Sequence, residues 1–196
     1  MSDWTEPKTV LRRYLQESRQ ALLLKLEGLG ERDLRLPRTP TGTNLLGIVK
    51  HCLNVEIGYF GPTFGREWPS PEEIVSGQAL DADPQADWYA TADETAAGIT
   101  DLYRRVWTFA DETIEALPLD APGRVPWWSE RHRDVTLQQI LVHVIAELAR
   151  HAGQADILRE HIDGAAGRRS PGDNLPDLDW AQYRDKLTAL AETFRA

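Results

Sequence analysis

Three residues in the C-terminal half of the chain have the types and spacing of metal ligands. His143, Glu147 and His151 follow one another at intervals of four residues, and side chains four apart lie above one another on one face of a helix. The apolar stripe of this predicted helix has Glu147 at its edge and His151 within its margin. A carboxylate and an imidazole that face the interior need a partner to offset their desolvation, and a divalent cation is such a partner. The alternative is an ordinary Glu–His pair on a helix.

A further ligand can come from a second predicted helix. His51 lies just outside the apolar arc of residues 44–60, a position from which it can reach across a helical bundle. The alternative is a surface or hydrogen-bonded histidine. Cys52 diverges from His51 by about 100° on the helix and falls inside the arc. We interpret Cys52 as a small buried hydrophobic residue and not as a ligand or nucleophile.

Five segments carry the helical spacing of apolar residues, at about residues 7–27, 44–60, 91–116, 136–162 and 179–194. Capping boxes begin the third segment at Thr91 and the fourth at Thr136, and Gly164 ends the fourth. Residues 34–43 are predicted to be a loop, residues 61–90 form a long connection without a clear period, and no strand pattern is visible. The sequence predicts an all-α fold, a four-helix bundle with an additional C-terminal helix, in a single domain over residues 1–196.

Composition excludes several classes of partner. The net charge is −9 and no cluster of Lys or Arg offsets it, which argues against nucleic-acid binding. The longest uninterrupted apolar run covers residues 21–24, far below the roughly 20 residues that span a bilayer. The N-terminus lacks the pattern of a secretory signal, and a single cysteine fits a reducing compartment, so we expect a cytoplasmic protein.

The two helices that carry the candidate ligands resemble the DinB/YfiT-like superfamily, and more narrowly its uncharacterised actinobacterial branch. The segments that carry the resemblance are residues 45–56 (LLGIVKHCLNVE) and 141–160 (LVHVIAELARHAGQADILRE). Shorter matches lie at residues 3–7 (DWTEP), 26–29 (LEGL) and 162–165 (IDGA). The resemblance therefore extends over nearly the whole chain and implies an unusual four-helix bundle.

The resemblance also implies a ligand set. In this superfamily a histidine on the second helix and two residues four apart on the fourth bind a divalent ion, commonly zinc or nickel. The matching positions here are His51, Glu147 and His151, as in the mycothiol-dependent maleylpyruvate isomerase relatives. Gln154 departs from close relatives, which often carry histidine there. His143 and Glu56 also resemble recurrent family residues, and we expect them to support the ligands, with a buried partner for Glu56.

Two histidines and one carboxylate leave coordination positions open for water or substrate. The resemblance implies a metal-dependent thiol S-transferase or isomerase, in which a mycothiol-type thiol is activated as a thiolate and attacks a small electrophile. The connection over residues 61–90 and the pair Trp127-Trp128 would shape the pocket, although paired tryptophans are commonly packing residues. The alternatives are a non-catalytic, metal-binding stress-response protein and a metal-free helical interaction module. A homodimer, as many relatives form, is also expected.

Overall fold

Seven α-helices and one β-hairpin follow one another in the computed structural model, which describes residues 4–195. In chain order they are α1 (Pro7–Leu24), α2 (Glu31–Arg35), α3 (Leu45–Phe60), α4 (Gly77–Ala82), α5 (Ala96–Ala116), β1 (Pro122–Arg124), β2 (Asp134–Thr136), α6 (Leu137–Asp163) and α7 (Trp180–Glu192). Two 3-10 turns, Pro62–Phe64 and Pro71–Glu73, lie in the connection between α3 and α4.

The long helices α1, α3, α5 and α6 form a four-helix bundle, which confirms the predicted fold class. Helix α3 packs against both α5 and α6, and α1 packs against α6. Twelve of the sixteen residues of α3 are buried, because a helix that is covered on two sides needs a wide apolar arc. Within residues 4–195, no helix combines the length and the hydropathy that crossing a membrane requires.

The ends of the helices follow the predicted capping signals only in part. The Thr136 hydroxyl accepts a hydrogen bond from the Gln139 amide at 3.3 Å, and Gly164 ends α6 with a φ of +75°, both as predicted. The predicted start of α5 at Thr91 is wrong, because Thr95 caps the helix instead, through the Gly98 amide. The carboxylate of Glu94 does accept from the Thr91 amide, but it also binds Lys50 of α3.

Three further elements differ from the sequence-based expectation. Helix α1 ends at Leu24, before the predicted end at residue 27, and the chain continues in turns. Helix α2 overlaps the beginning of the predicted loop at residues 34–43. The antiparallel hairpin pairs Pro122 with Thr136 and Arg124 with Asp134. Strands of three residues are too short to show an alternating pattern, which is why the sequence did not reveal them.

Helix α7 has the predicted apolar face, but this face stays exposed to solvent. Asp179 caps the helix by accepting from the Gln182 amide at 3.0 Å. The large apolar residues of the face are 43% to 54% exposed, and they are Trp180, Tyr183, Leu187 and Leu190. Phe194, which was predicted to continue the face, lies just after the end of the helix and is 87% exposed. The spacing of three and four residues within the face is that of a helix that packs against a second helix.

A buried ion pair joins α1 to α3 inside the bundle. Arg19 and Glu56 are 1% and 0% exposed, and the guanidinium donates from Nε at 2.9 Å and from Nη2 at 2.5 Å to the Glu56 carboxylate. The Tyr103 hydroxyl of α5 donates to the same carboxylate at 2.8 Å. Burial alone would lower the pKa of Arg19, but the Glu56 charge outweighs it and raises the pKa. Three helices are thus held together by one carboxylate.

We expect Glu56→Gln to lower the free energy of unfolding by about 3 kcal/mol, because it leaves a buried arginine without its main counter-charge. Urea unfolding followed by circular dichroism measures this change. The matched control is Glu115→Gln, since Glu115 pairs with Arg12 of α1 on the surface and should cost less than about 1 kcal/mol. Equal losses in the two variants would contradict the importance of the buried pair.

Candidate metal centre

Three side chains from α3 and α6 converge at one place in the bundle. His51 comes from α3, while Glu147 and His151 lie one turn apart on α6, and one ligand atom of each lies within 4.8 Å of the others. The Nε2 atom of His151 is 3.1 Å from a Glu147 oxygen, and the two imidazole rings meet edge to face. His151 is 4% exposed and the other two are half-buried. The structure therefore brings together the three residues predicted from the sequence.

The second nitrogen of each histidine is already engaged by an acceptor. The Nδ1 atom of His51 is 2.7 Å from a carboxylate oxygen of Asp87, and Nδ1 of His151 is 2.8 Å from the amide oxygen of Gln154. In the tautomer with the proton on Nδ1, each histidine donates to this partner, and Nε2 has the lone pair that a metal ion would bind. Gln154, the residue that departs from close relatives, thus orients His151.

This arrangement fits a divalent cation. Two imidazoles and one carboxylate each offer a ligand atom within 4.8 Å of the others. When all three act as acceptors, a positive charge among them offsets their mutual repulsion and their desolvation. Nitrogen and oxygen donors of this kind bind first-row divalent metals, and three protein ligands leave further coordination positions open. The His-Glu-His group can therefore hold a metal ion whose further ligands come from the neighbouring cavity.

The connection between α3 and α5 supplies two residues that the sequence did not single out. Asp87, 7% exposed, binds His51, and the indole of Trp88 stacks on the His51 ring at 4.0 Å between centroids. Trp88 also meets the edge of His151 at 5.2 Å. The connection contains several acidic residues without periodicity, so spacing alone gave no reason to prefer Asp87.

Backbone contacts hold this part of the connection on α3. The Asn44 side chain donates to the Trp88 carbonyl at 3.3 Å, and the Lys50 ammonium donates to the Tyr89 carbonyl at 3.0 Å. A Cβ atom at Gly47 would lie 1.8 Å from the Trp88 carbonyl oxygen. Only glycine at this position of α3 lets the connection approach closely enough for Asp87 to reach His51.

Cys52, next to His51, is fully buried and has no role at the site surface. Burial raises the pKa of its thiol well above the ordinary value, and the charges of Glu56, Glu147 and Asp87 act in the same direction. A neutral thiol inside the core is neither a nucleophile nor a metal ligand. The prediction that Cys52 is a small buried hydrophobic residue is confirmed.

The two residues expected to support the ligands lie in different environments. Glu56 has the buried partner that was predicted, but its hydrogen bonds go to Arg19 and Tyr103 in the core and not to a histidine of the triad. The Nε2 atom of His143 lies 3.0 Å from the Tyr59 hydroxyl, one helical turn before Glu147. His143 therefore shares a cavity with the triad, while Glu56 stabilises the bundle.

A cavity of about 650 Å³ opens beside the triad. Its polar wall includes His51, Asp87, Glu147, Tyr59 and His143, and its apolar wall includes Val55, Ile57, Ile74, Val75, Leu80 and Trp127. Trp128 lies behind this wall, where its indole N–H donates to the Tyr59 hydroxyl at 3.2 Å. The connection and Trp127 thus line the cavity, as the sequence predicted, while Trp128 contacts Tyr59 from outside the lining.

The fold and the site define a helical bundle with a candidate divalent-metal centre that faces an apolar cavity. A comparison with protein-family models matches residues 10–164 to mycothiol-S-transferase. The match covers most of the sequence, including all three candidate ligands, so the chain belongs to the mycothiol-S-transferase family, within the DinB/YfiT-like superfamily. A comparison with curated proteins found no match.

We expect Asp87→Asn to weaken binding of Zn²⁺ by about 10- to 100-fold, because the carboxylate orients His51 and raises its basicity. Competition with a chromophoric chelator measures the affinity. The control is Asp81→Asn, which removes the same charge from an exposed position in the same connection. If both variants bind as tightly as the parent protein, Asp87 does not support the metal.

Proposed function

We propose that this protein is a metal-dependent transferase that joins a mycothiol-type thiol to a small electrophile. The observation that carries the proposal is the convergence of His51, Glu147 and His151 at the wall of an apolar cavity. Membership of the mycothiol-S-transferase family supports the thiol as cosubstrate. A bound divalent cation lowers the pKa of a thiol that reaches it and so raises the thiolate fraction at neutral pH.

The residues around the triad supply orientation and exclude water. Asp87 and Gln154 contact the Nδ1 atoms of the two imidazoles, and one ligand atom of each triad residue lies within 4.8 Å of the others. Trp88 covers one face of His51, so solvent reaches the centre from the cavity side. Rigid ligands of this kind keep the coordination geometry fixed while substrates exchange.

The cavity suits small organic electrophiles. Its volume of about 650 Å³ lies within the range of small-molecule sites, which is roughly 300–1,000 Å³. Mostly apolar walls favour an apolar electrophile, and the polar groups lie on the side of the triad. We therefore expect the polar thiol to bind near the cation and the electrophile to bind against Trp127.

The decisive experiment loads the purified protein with Zn²⁺ or Ni²⁺ and supplies mycothiol with a generic alkyl halide. We expect thiol consumption that depends on the metal, and a loss of at least about 100-fold in His151→Ala, because the cation contributes several kcal/mol to such a step. The matched control is His161→Ala at the exposed end of α6, which should keep full activity.

Two outcomes of this experiment would contradict the proposal. A protein that binds metal but never consumes thiol would be the non-catalytic, metal-binding alternative. A protein that binds no ion, and whose thermal stability a chelator leaves unchanged, would be a helical interaction module. Elemental analysis of the protein purified without chelator separates these two outcomes and identifies the native ion.

A homodimer also forms part of the proposal, and the exposed face of α7 is the surface that favours it. We expect the parent protein to have a solution mass near twice the 22.1 kDa of one chain. The double variant Leu187→Glu/Leu190→Glu should have the mass of a single chain, because the added charges oppose burial of the face. Light scattering after size exclusion measures the mass. Thr188→Glu/Ala189→Glu adds the same charges on another side of α7 and should leave the dimer intact. A single-chain mass for the parent protein would contradict this.

A further inference from the structure

A second polar group lies in the cavity, away from the triad. The Tyr59 hydroxyl accepts a hydrogen bond from the Trp128 indole at 3.2 Å and lies 3.0 Å from Nε2 of His143. The three rings pack edge to face around it. Since the indole only donates, the phenol oxygen must accept there. In the tautomer with a proton on Nε2 of His143, that ring also donates to the phenol oxygen, and the phenol proton is left for a substrate.

The spacing between Tyr59 and the triad along the bundle allows one substrate to contact both. His143 precedes Glu147 by one helical turn, which is roughly 6 Å, and Tyr59 follows His51 by two turns, roughly 12 Å. All four residues line the same cavity. A group bound between the two ends can therefore face the triad with one atom and Tyr59 with another.

The wall beside Tyr59 is held in place by close packing. A Cβ atom at Gly58 would lie 2.9 Å from the Trp127 ring, so the indole rests against the backbone of α3. The Tyr59 and Trp127 rings meet edge to face at 5.2 Å between centroids. The phenol is therefore presented beside an aromatic surface on which an apolar substrate can rest.

We propose that Tyr59 donates a proton to the substrate, and that the enzyme acts on electrophiles that build negative charge on an oxygen as sulfur attacks, such as epoxides. This inference rests on the proposed thiol transfer. His143 and Trp128 are positioning residues, because they act through the Tyr59 hydroxyl.

The bonds and protons balance in this step. Thiolate sulfur forms a bond to one epoxide carbon, the carbon–oxygen bond breaks, and its electron pair goes to the oxygen. That oxygen takes the Tyr59 proton and becomes a hydroxyl group. Trp128 and His143 then donate to the phenolate oxygen, and a proton from solvent, passed through the His143 ring, restores the phenol. No oxidant or reductant is needed.

The environment keeps the phenol in the form that can donate. Burial raises the pKa of Tyr59 above its ordinary value, and the charge of Glu147 acts in the same direction. These effects outweigh the hydrogen bonds from the Trp127 and Trp128 indoles, which lower the pKa. Tyr59 is therefore protonated at neutral pH.

The test compares two electrophiles of similar size with the metal-loaded enzyme and mycothiol. Styrene oxide needs a proton on its departing oxygen, whereas benzyl bromide releases bromide without one. We expect Tyr59→Phe to slow the reaction with styrene oxide by about 100-fold and to change the reaction with benzyl bromide less than about 3-fold. Tyr14→Phe, an exposed site on α1, should leave both rates unchanged.

A binding measurement on the metal-free protein provides a second readout. Acetophenone offers an oxygen to the phenol, and ethylbenzene has a similar shape without one. We expect Tyr59→Phe to weaken acetophenone binding by about 3- to 10-fold, the value of one hydrogen bond, with ethylbenzene unaffected. Tryptophan fluorescence reports both titrations.

Equal losses with styrene oxide and benzyl bromide, or an unchanged rate with styrene oxide, would overturn the role of Tyr59 while leaving thiol transfer intact. Parent enzyme that uses neither electrophile would overturn the proposed function and this inference together. Unequal losses combined with weaker acetophenone binding would establish Tyr59 as the proton donor.

Discussion

The site depends on one electrostatic constraint, namely that two imidazoles and one carboxylate meet inside the bundle, where water cannot fully solvate them. Asp87 and Gln154 each contact the Nδ1 atom of one histidine, which leaves the Nε2 atom of each ring for a metal ion when Nδ1 has the proton. A divalent cation among the three groups would offset the cost of burying them. A separate buried ion pair between Arg19 and Glu56 joins α1 to α3 and uses none of the three candidate ligands.

Sequence reasoning worked best where residues lie on long helices. The apolar periods of α3 and α6 indicated the helix faces of His51, Glu147 and His151, and the resemblance to the DinB/YfiT-like superfamily singled out these three as candidate ligands. The start of α5 could not be assigned, because Glu94 satisfies a capping pattern and also binds Lys50, a contact between distant segments. Tertiary contacts of this kind leave no local signal in a sequence.

The environment of the ligands was largely hidden for the same reason. Asp87 and Trp88 belong to a connection without any period, and their contacts with His51 depend on how the chain returns to α3. Tyr59 and His143 could be placed on helices, but Trp128, which completes their hydrogen-bonded group, lies between the two strands of a hairpin too short to predict. The sequence therefore predicted the candidate ligands, but it did not predict the residues that contact them.

Gly47 couples the docking of the connection onto α3 to the binding of a metal ion at the triad. Trp88 reaches α3 only because no side chain stands in its way, and Asp87 meets His51 through the same approach. A cation that binds the oriented His51 imidazole would also stabilise the docked connection. By thermodynamic linkage, docking of the connection would then raise the affinity for the cation. Loss of the ion would therefore loosen the segment that forms one wall of the cavity, so that substrate binding and metal binding would rise and fall together.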